Sequence, residues 1–215
     1  MKTHAQALLF DNDGTLVSSM DSVHRCWARW AREYGITEEA FARVVLHGRP
    51  ATEIIAELLP EEVRAEALAR IEALEVADVP GGVVLLPGTK ELLSALPVGR
   101  WAVVTSATRP LAEARLREVG IDFPELVAAD DITRGKPDPE PFLLAARRLG
   151  VDPARCVVFE DAPAGLAAGR AAGMRTVALT TTHPAEELVA DVVVRDLSAV
   201  SALVTDTGVT LGTTD

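Results

Sequence analysis

The residues whose types could do chemistry together are Asp11-Asn12-Asp13-Gly14-Thr15, Thr105-Ser106, Glu160-Asp161, and Lys136 within Gly135-Lys136-Pro137-Asp138-Pro139. If the four carboxylates meet, they repel, and without compensation at least one takes up a proton. A hard dication relieves that repulsion. Magnesium prefers one or two carboxylates, a few waters and substrate phosphate oxygens, which suits this set better than a full protein cage would. Asp11 and Asp161 are expected to ligate through their side chains and Asp13 through its backbone carbonyl. Glu160 is expected to stand behind them.

Each stretch also has a bland reading. Asp11-Asn12-Asp13-Gly14-Thr15 has the composition of a plain turn. A calcium loop would need Asp or Asn where Leu9 stands and Glu where Met20 stands, so that reading fails. Thr105 and Ser106 alone are simple candidates for capping a following helix. Lysines are mostly solvated surface charges, but this chain has only 3 lysines against 18 arginines, so Lys136 runs against its habit. Lysine supplies a compact point charge where arginine supplies a wide planar fork, and a point charge suits the space beside a nucleophile and a phosphoryl group.

Something must bring these stretches together. Short, valine-rich apolar runs at residues 7–10, 101–104, 156–159 and 176–179 suit strands of a parallel sheet covered on both faces. Helical patterns lie between them at 111–119, 141–149 and 163–172, several closed by a glycine. Alternating strand and helix predicts an α/β, Rossmann-like, doubly wound core. In such a sheet ligands bind beyond the carboxyl ends of the strands, where Asp11, Thr105 and Glu160-Asp161 stand. Residues 16–85 break the alternation. Val23, Trp27, Trp30 and Tyr34 recur at helical spacing, and a second helix-prone stretch covers 61–77. The expected organisation is a core of residues 1–15 and 86–215 with a helical cap of residues 16–85 inserted after the first strand. The aromatic stripe reads as the cap's own core, Gly165, Gly169 and Gly173 as a small-residue face against the sheet, and the tail from Asp206 carries no decipherable signal.

Composition narrows the partners. The formal charge of −11 and pI of about 4.9 leave no basic stripe for nucleic acid or an anionic membrane. A phosphorylated substrate must then be met by local cations or a metal. Cys26 and Cys156 form no metal or redox spacing, so a reduced cytoplasm is expected. The apolar run near Met1-Lys2 stops at Asp11 after four residues, too short for a signal peptide. No run approaches the roughly 20 apolar residues of a membrane span.

The ordered set Asp11-Asn12-Asp13-Gly14-Thr15, Thr105-Ser106, Lys136 and Glu160-Asp161 resembles the four motifs of the haloacid dehalogenase superfamily and spans nearly the whole chain. Leu46-His47-Gly48-Arg49-Pro50, Trp101-Ala102-Val103-Val104-Thr105-Ser106 and Phe159-Glu160-Asp161-Ala162-Pro163-Ala164-Gly165 are similar to bacterial hexitol and sugar phosphatases and to yeast glycerol-phosphate and deoxyglucose-phosphate phosphatases. Ser18 departs from the pattern, since many members carry an aspartate there. The resemblance implies that Asp11 attacks phosphorus and that Asp13 protonates the leaving alkoxide and then activates water. It implies that Thr105, Ser106 and Lys136 hold the phosphoryl oxygens beside Mg2+. His47, Gly48 and Arg49 would reach from the cap to the organic part of the substrate.

Relatives of one fold differ in reaction, so rivals need separate arguments. Dehalogenases lack the second aspartate, and here Asp13 is present. Phosphonate hydrolases that form a Schiff base need a cap lysine, and residues 16–85 contain none. A phosphomutase of the β-phosphoglucomutase type is the runner-up, and a non-catalytic binding module comes third. The Arg49 loop and the lack of a base-stacking signature point to a sugar or polyol monophosphate; a monomer is expected, with a dimer as the alternative.

Overall fold

The structure is a computed structural model and describes residues 2–46 and 49–213. The chain begins with β1 (Lys2–Ala5), β2 (Ala7–Phe10) and β3 (Val17–Ser18), then α1 (Met20–Glu33), α2 (Glu38–Phe41), α3 (Ala51–Leu58) and α4 (Glu61–Ala77). β4 (Val84–Leu85) and α5 (Thr89–Ser94) lead into β5 (Trp101–Val104), α6 (Arg109–Glu118) and β6 (Leu126–Val127). Next come α7 (Glu140–Leu149), β7 (Cys156–Glu160), α8 (Pro163–Ala171), β8 (Arg175–Leu179) and β9 (Val192–Val194). A hairpin of β10 (Val200–Thr205) and β11 (Gly208–Thr213) closes the described chain.

Six strands form one parallel sheet in the order β6-β5-β2-β7-β8-β9. From β2 the chain winds outward through β5 and β6, then returns to the far side of β2 for β7, β8 and β9. The winding direction reverses between β2 and β7, which is where a crevice opens beyond the strand ends. All four residues of β2 are buried because helices cover both faces. Leu8 and Phe10 enter one apolar layer with Val103, Val157 and Phe159, whereas Ala7 and Leu9 enter the opposite layer with Ala102, Val104 and Val158. That alternation is the two-residue period of a strand. Phe10 and Phe159 are register partners whose rings stack at 4.8 Å, and burying each stabilises the fold by about 1.5–3 kcal/mol. Packing at this junction ties β2 to β7.

Helices α1, α3 and α4 enclose a separate apolar cluster around Trp27, Trp30, Ile54, Ile55 and Ile71. Trp30 is fully buried, and its Nε1 donates to the Ala67 carbonyl at 2.8 Å, which satisfies the one polar atom of the ring. The aromatic stripe therefore packs the helical insert, as its spacing predicts. The flanks of the insert behave differently from that expectation. Leu16, Val17, Val79 and Val83 join the apolar layer of the sheet, and β3 pairs with β4 where the chain leaves and re-enters the core. Their side chains are apolar and short-linked to β2 and α5, so they are drawn to the larger core.

Sequence periodicity also misses several elements. β6 and β9 have two and three residues, too short for a pattern to show. The tail forms β11, which pairs with β1 on one side and β10 on the other in a second, antiparallel sheet. Gly165 and Gly169 do lie against β7 and β8, as expected, whereas a Cβ on Gly173 would meet nothing within 4 Å among the described residues, and this glycine follows the end of α8 with φ +74°. Among the described residues, no helix is long and apolar enough to cross a membrane.

Candidate active site

The loop after β2 is wound tightly. The Asn12 carbonyl accepts from the N–H groups of Thr15, Leu16 and Val17 at 3.3, 2.9 and 3.0 Å. Gly14 sits at φ +92°, and a Cβ there would lie 2.0 Å from Asp161 Oδ2. Glycine is therefore required twice over, by backbone conformation and by the approach of Asp161. The Asp11 N–H donates to the Phe159 carbonyl at 3.0 Å, extending the β2–β7 ladder by one step and delivering Asp11 beside the end of β7. Glu160 ends β7 and Asp161 follows it.

Lys136 arrives from the loop before α7. Glu140, in the first turn of that helix, accepts the N–H groups of Thr133 and Arg134 at 2.8 and 3.1 Å and so braces the loop. Lys136 Nζ donates to Asp11 Oδ1 at 2.5 Å, Glu160 Oε1 at 2.7 Å and the Val104 carbonyl at 3.0 Å, which uses all three of its N–H bonds. Burial opposes its charge, but the carboxylates of Asp11 and Glu160 outweigh burial and hold its pKa above the ordinary lysine value. Burial pushes Asp11 well above the usual carboxylate range. Lys136 pulls it back, while Glu160 and Asp161 add to the upward push.

Those shifts describe a buried cluster with more negative than positive charge. Carboxylate oxygens of Asp11, Glu160 and Asp161 lie within 4.8 Å of one another. Hard oxygen donors in excess of one lysine fit a hard dication, so the residues present suit Mg2+. Glu160 is the least available of the three. Its Oε1 takes Lys136, and its Oε2 accepts from the N–H groups of Asp161 and Ala162 at 2.9 Å each. Those bonds place it behind the others, orienting the lysine and the loop. A Cβ on Gly165 would lie 1.7 Å from Glu160 Oε1, so the first turn of α8 stays open for this carboxylate.

Asp11, Asp13, Thr105, Ser106, Lys136, Glu160 and Asp161 all line one cleft of about 430 Å³, walled on the far side by Trp27, Leu46, Arg49 and Ile54 of the helical insert. The structure thus brings together every core residue singled out from the sequence. Thr108, not Thr105 or Ser106, precedes the first residue of α6, which leaves the latter two in the cleft. The Thr105 hydroxyl accepts the Ala107 N–H at 3.1 Å. Arg49 lines the rim and pairs with Glu57 at 3.0 Å and Glu53 at 3.8 Å. His47 and Gly48 lie outside the described residues.

A protein-family model described as haloacid dehalogenase-like hydrolase matches residues 5–173. The chain belongs to the haloacid dehalogenase-like hydrolases. This hydrolase is 40% identical over 180 residues to hexitol phosphatase A of Escherichia coli (strain K12), covering 81% of the chain and 82% of that relative. It is 40% identical over 209 residues to validoxylamine A 7'-phosphate phosphatase of Streptomyces hygroscopicus subsp. limoneus, covering 89% and 94%. The crystal structure of CbbY from Rhodobacter sphaeroides in complex with phosphate matches it with a TM-score of 0.77 at 27% identity, covering 90% of this chain and 95% of that one.

Three residues of the hydrolase's cleft escape a motif reading. Ser19 Oγ donates to Asp13 Oδ1 at 2.5 Å, and Arg115 Nη1 lies 3.0 Å from Asp13 Oδ2. Arg115 Nη2 reaches Glu75 Oε1, on α4 of the insert, at 3.3 Å. A signal for two of them was present in the periodicity. Arg115 falls on the buried stripe Leu111, Ala112, Leu116, and Glu75 on the stripe Ala67, Ile71, Leu74, where charged residues are rarely placed.

Burial lifts Glu75 to about 7. Arg115 pulls it down and Asp13 pushes it further up. A carboxyl whose pKa rises on folding holds its proton more tightly in the folded chain, so its contribution favours folding at low pH and is lost as the pH climbs through about 7. Glu75→Gln keeps the shape and cannot ionise. It is expected to flatten the loss of unfolding free energy between about pH 5 and 8 by something on the order of 3 kcal/mol, as read from urea denaturation at several pH values. An unchanged slope would show that Glu75 is ionised throughout.

Proposed function

We propose that this chain is a magnesium-dependent phosphatase of small phosphate monoesters, with a sugar or polyol as the organic part, acting through a phosphorylated Asp11. The observation that carries this reading is the Asp11 carboxylate on the cleft floor, with Lys136 on Oδ1 and Asp161 within 4.8 Å. The names of the hexitol and validoxylamine phosphate phosphatases support a polyol-like substrate. The helices within residues 16–85 act as a cap over the core, whose apolar layer also takes in Leu16, Val17, Val79 and Val83. Two buried thiols, Cys26 and Cys156, accord with the cytoplasm as its location.

Asp11 and Asp161 would hold Mg2+ through their side chains and Asp13 through its backbone carbonyl. When bound, the ion neutralises charge on the phosphoryl oxygens. Lys136 keeps Asp11 Oδ1 in place and sets its positive charge beside the phosphoryl group, to which the Thr105 and Ser106 hydroxyls offer donors. Asp11 attacks phosphorus and forms a P–O bond, the bond to the substrate oxygen breaks, and Asp13 gives its proton to that oxygen. Asp13 then takes a proton from water, which attacks phosphorus. The Asp11–phosphorus bond breaks, and orthophosphate leaves with Asp11 restored. Arg49 and the apolar wall of the cap receive the organic part.

A panel of phosphate monoesters assayed with and without Mg2+ tests the proposal. Phosphate release from polyol and sugar monophosphates is expected to depend on Mg2+ and to exceed release from nucleotides. Mutase activity predicts instead that, with a sugar bisphosphate added, hexose 1-phosphate is converted to its 6-phosphate faster than phosphate appears. Since Asp11 must give up its proton to bind the ion, the thermal shift caused by Mg2+ is expected to be larger at pH near 8 than at pH near 5.5. No shift at either pH would defeat the metal assignment.

A further inference from the structure

We propose that Arg115 is a positioning residue for the proton-transfer step, and that Glu75 of the helical insert holds it in place. The inference rests on the phosphatase reading and adds a part that the core motifs do not contain.

Arg115 is 4% exposed on a helix of the core, at a position where its neighbours Leu111, Ala112 and Leu116 pack into the apolar layer. Burying a guanidinium is expensive, and an apolar residue of similar size generally serves stability as well or better. Its contacts show where the charge is used. Nη1 lies 3.0 Å from Asp13 Oδ2, Nη2 lies 3.3 Å from Glu75 Oε1, and Nε has no hydrogen-bond partner among the described residues. The guanidinium is therefore not held by a shell of backbone carbonyls but strung between two carboxylates that both line the cleft.

Asp13 is fixed from both sides as a result. Ser19 Oγ donates to Oδ1 at 2.5 Å, Asn12 Nδ2 donates to Oδ2 at 3.2 Å, and Arg115 faces the same Oδ2. Ser19 and Asn12 belong to the segment that carries Asp13 itself, so they move with it. Among the described residues, Arg115 is the contact that comes from elsewhere in the fold and refers the carboxylate to helix α6. Glu75, on α4 of the insert, occupies the other end of the guanidinium. The aim of Asp13 thus depends on a carboxylate supplied by the cap, so proton transfer and cap placement are linked through one side chain.

A proton donor matters most when the leaving group is basic. An alkoxide must be protonated as it departs, whereas p-nitrophenolate leaves without help. The value of kcat/KM reports steps up to departure of the leaving group, so comparing two esters isolates the donor. Arg115→Met is expected to lower kcat/KM for the best alkyl monoester of the panel by about 100-fold and for p-nitrophenyl phosphate by less than about five-fold. Arg115→Lys should recover part of the loss, and adding Arg115→Met to Asp13→Asn should lower the alkyl value no further. Glu75→Gln, which leaves the arginine in place, provides a milder variant should Arg115→Met not fold. It is expected to depress the alkyl value selectively by about five- to ten-fold. Equal losses on both esters, or no loss on the alkyl ester, would overturn the proposal. Wild-type turnover of both esters with Mg2+ tests the phosphatase reading separately.

Discussion

Asp11→Asn is expected to reduce turnover by about four orders of magnitude or more while leaving the folded chain as stable as before, or firmer, in metal-free buffer at neutral pH. Asparagine has the shape of aspartate but cannot form the phosphorylated intermediate, so both halves of the proposed reaction lose their nucleophile. Stability moves the other way for an electrostatic reason. Burial already disfavours the charged form of Asp11, and Glu160 and Asp161 add to that penalty. A neutral side chain removes it. Lys136 does not become an orphan in the variant, because Glu160 Oε1 at 2.7 Å and the Val104 carbonyl at 3.0 Å still accept its N–H groups. Calorimetry without metal and a phosphate-release assay with Mg2+ test the two halves of the expectation. Wild-type turnover by the variant would end the nucleophile assignment, and a large drop in Tm would end the charge argument.

Lys136→Met is expected to damage both properties at once. The lysine is buried and, among the described residues, is the one cation placed against Asp11 and Glu160, at 2.5 and 2.7 Å. Removing one partner from a buried ion pair leaves an uncompensated charge and costs about 3–5 kcal/mol. Methionine matches the length of the side chain, so packing against Phe142, whose ring centroid lies 5.3 Å from Nζ, is largely kept and the loss reports on charge. Because the carboxylates raise its pKa, the lysine's stabilising contribution persists through the neutral range and is lost only in strongly alkaline solution. Turnover should fall by about 10²- to 10³-fold, the scale for losing one fixed charge that stabilises the transition state. Saturating Mg2+ should restore stability more than activity, since a dication can replace the missing positive charge but not the donor at Oδ1. Full restoration of both would mean that Lys136 serves only as a counter-ion.

Much of the site was legible in the chain because its parts are local. Asp11, Thr105 and Glu160-Asp161 each stand just past a run of four or five residues buried on both faces, and such runs are short, apolar and easily recognised. The helices between them begin and end within two residues of the positions that capping and periodicity predict. What periodicity could not show were elements stabilised by distant partners. The two residues of β6 make a strand only because β5 lies beside them, and β11 is a strand because β1 and β10 flank it from opposite ends of the chain. Leu16, Val17, Val79 and Val83 stood inside the expected insert by position, yet they pack with the sheet because its apolar layer lies nearest to them.

The amino-acid sequence by itself determined the parallel core, the helical insert and the group of carboxylates and lysine at the strand ends. Strand alternation, strand-end chemistry and helical spacing are all properties of neighbouring residues. Only the tertiary structure decided how those groups divide their work. Glu160 stands behind the cleft because Lys136 and two N–H groups take its oxygens, and Gly14 is demanded by an Asp161 oxygen from far along the chain. Arg115 and Glu75 entered the site in the same way. Charge on a buried side chain acquires meaning from whatever faces it across space, and that facing partner is set by the winding of the sheet and the seating of α4 against α6.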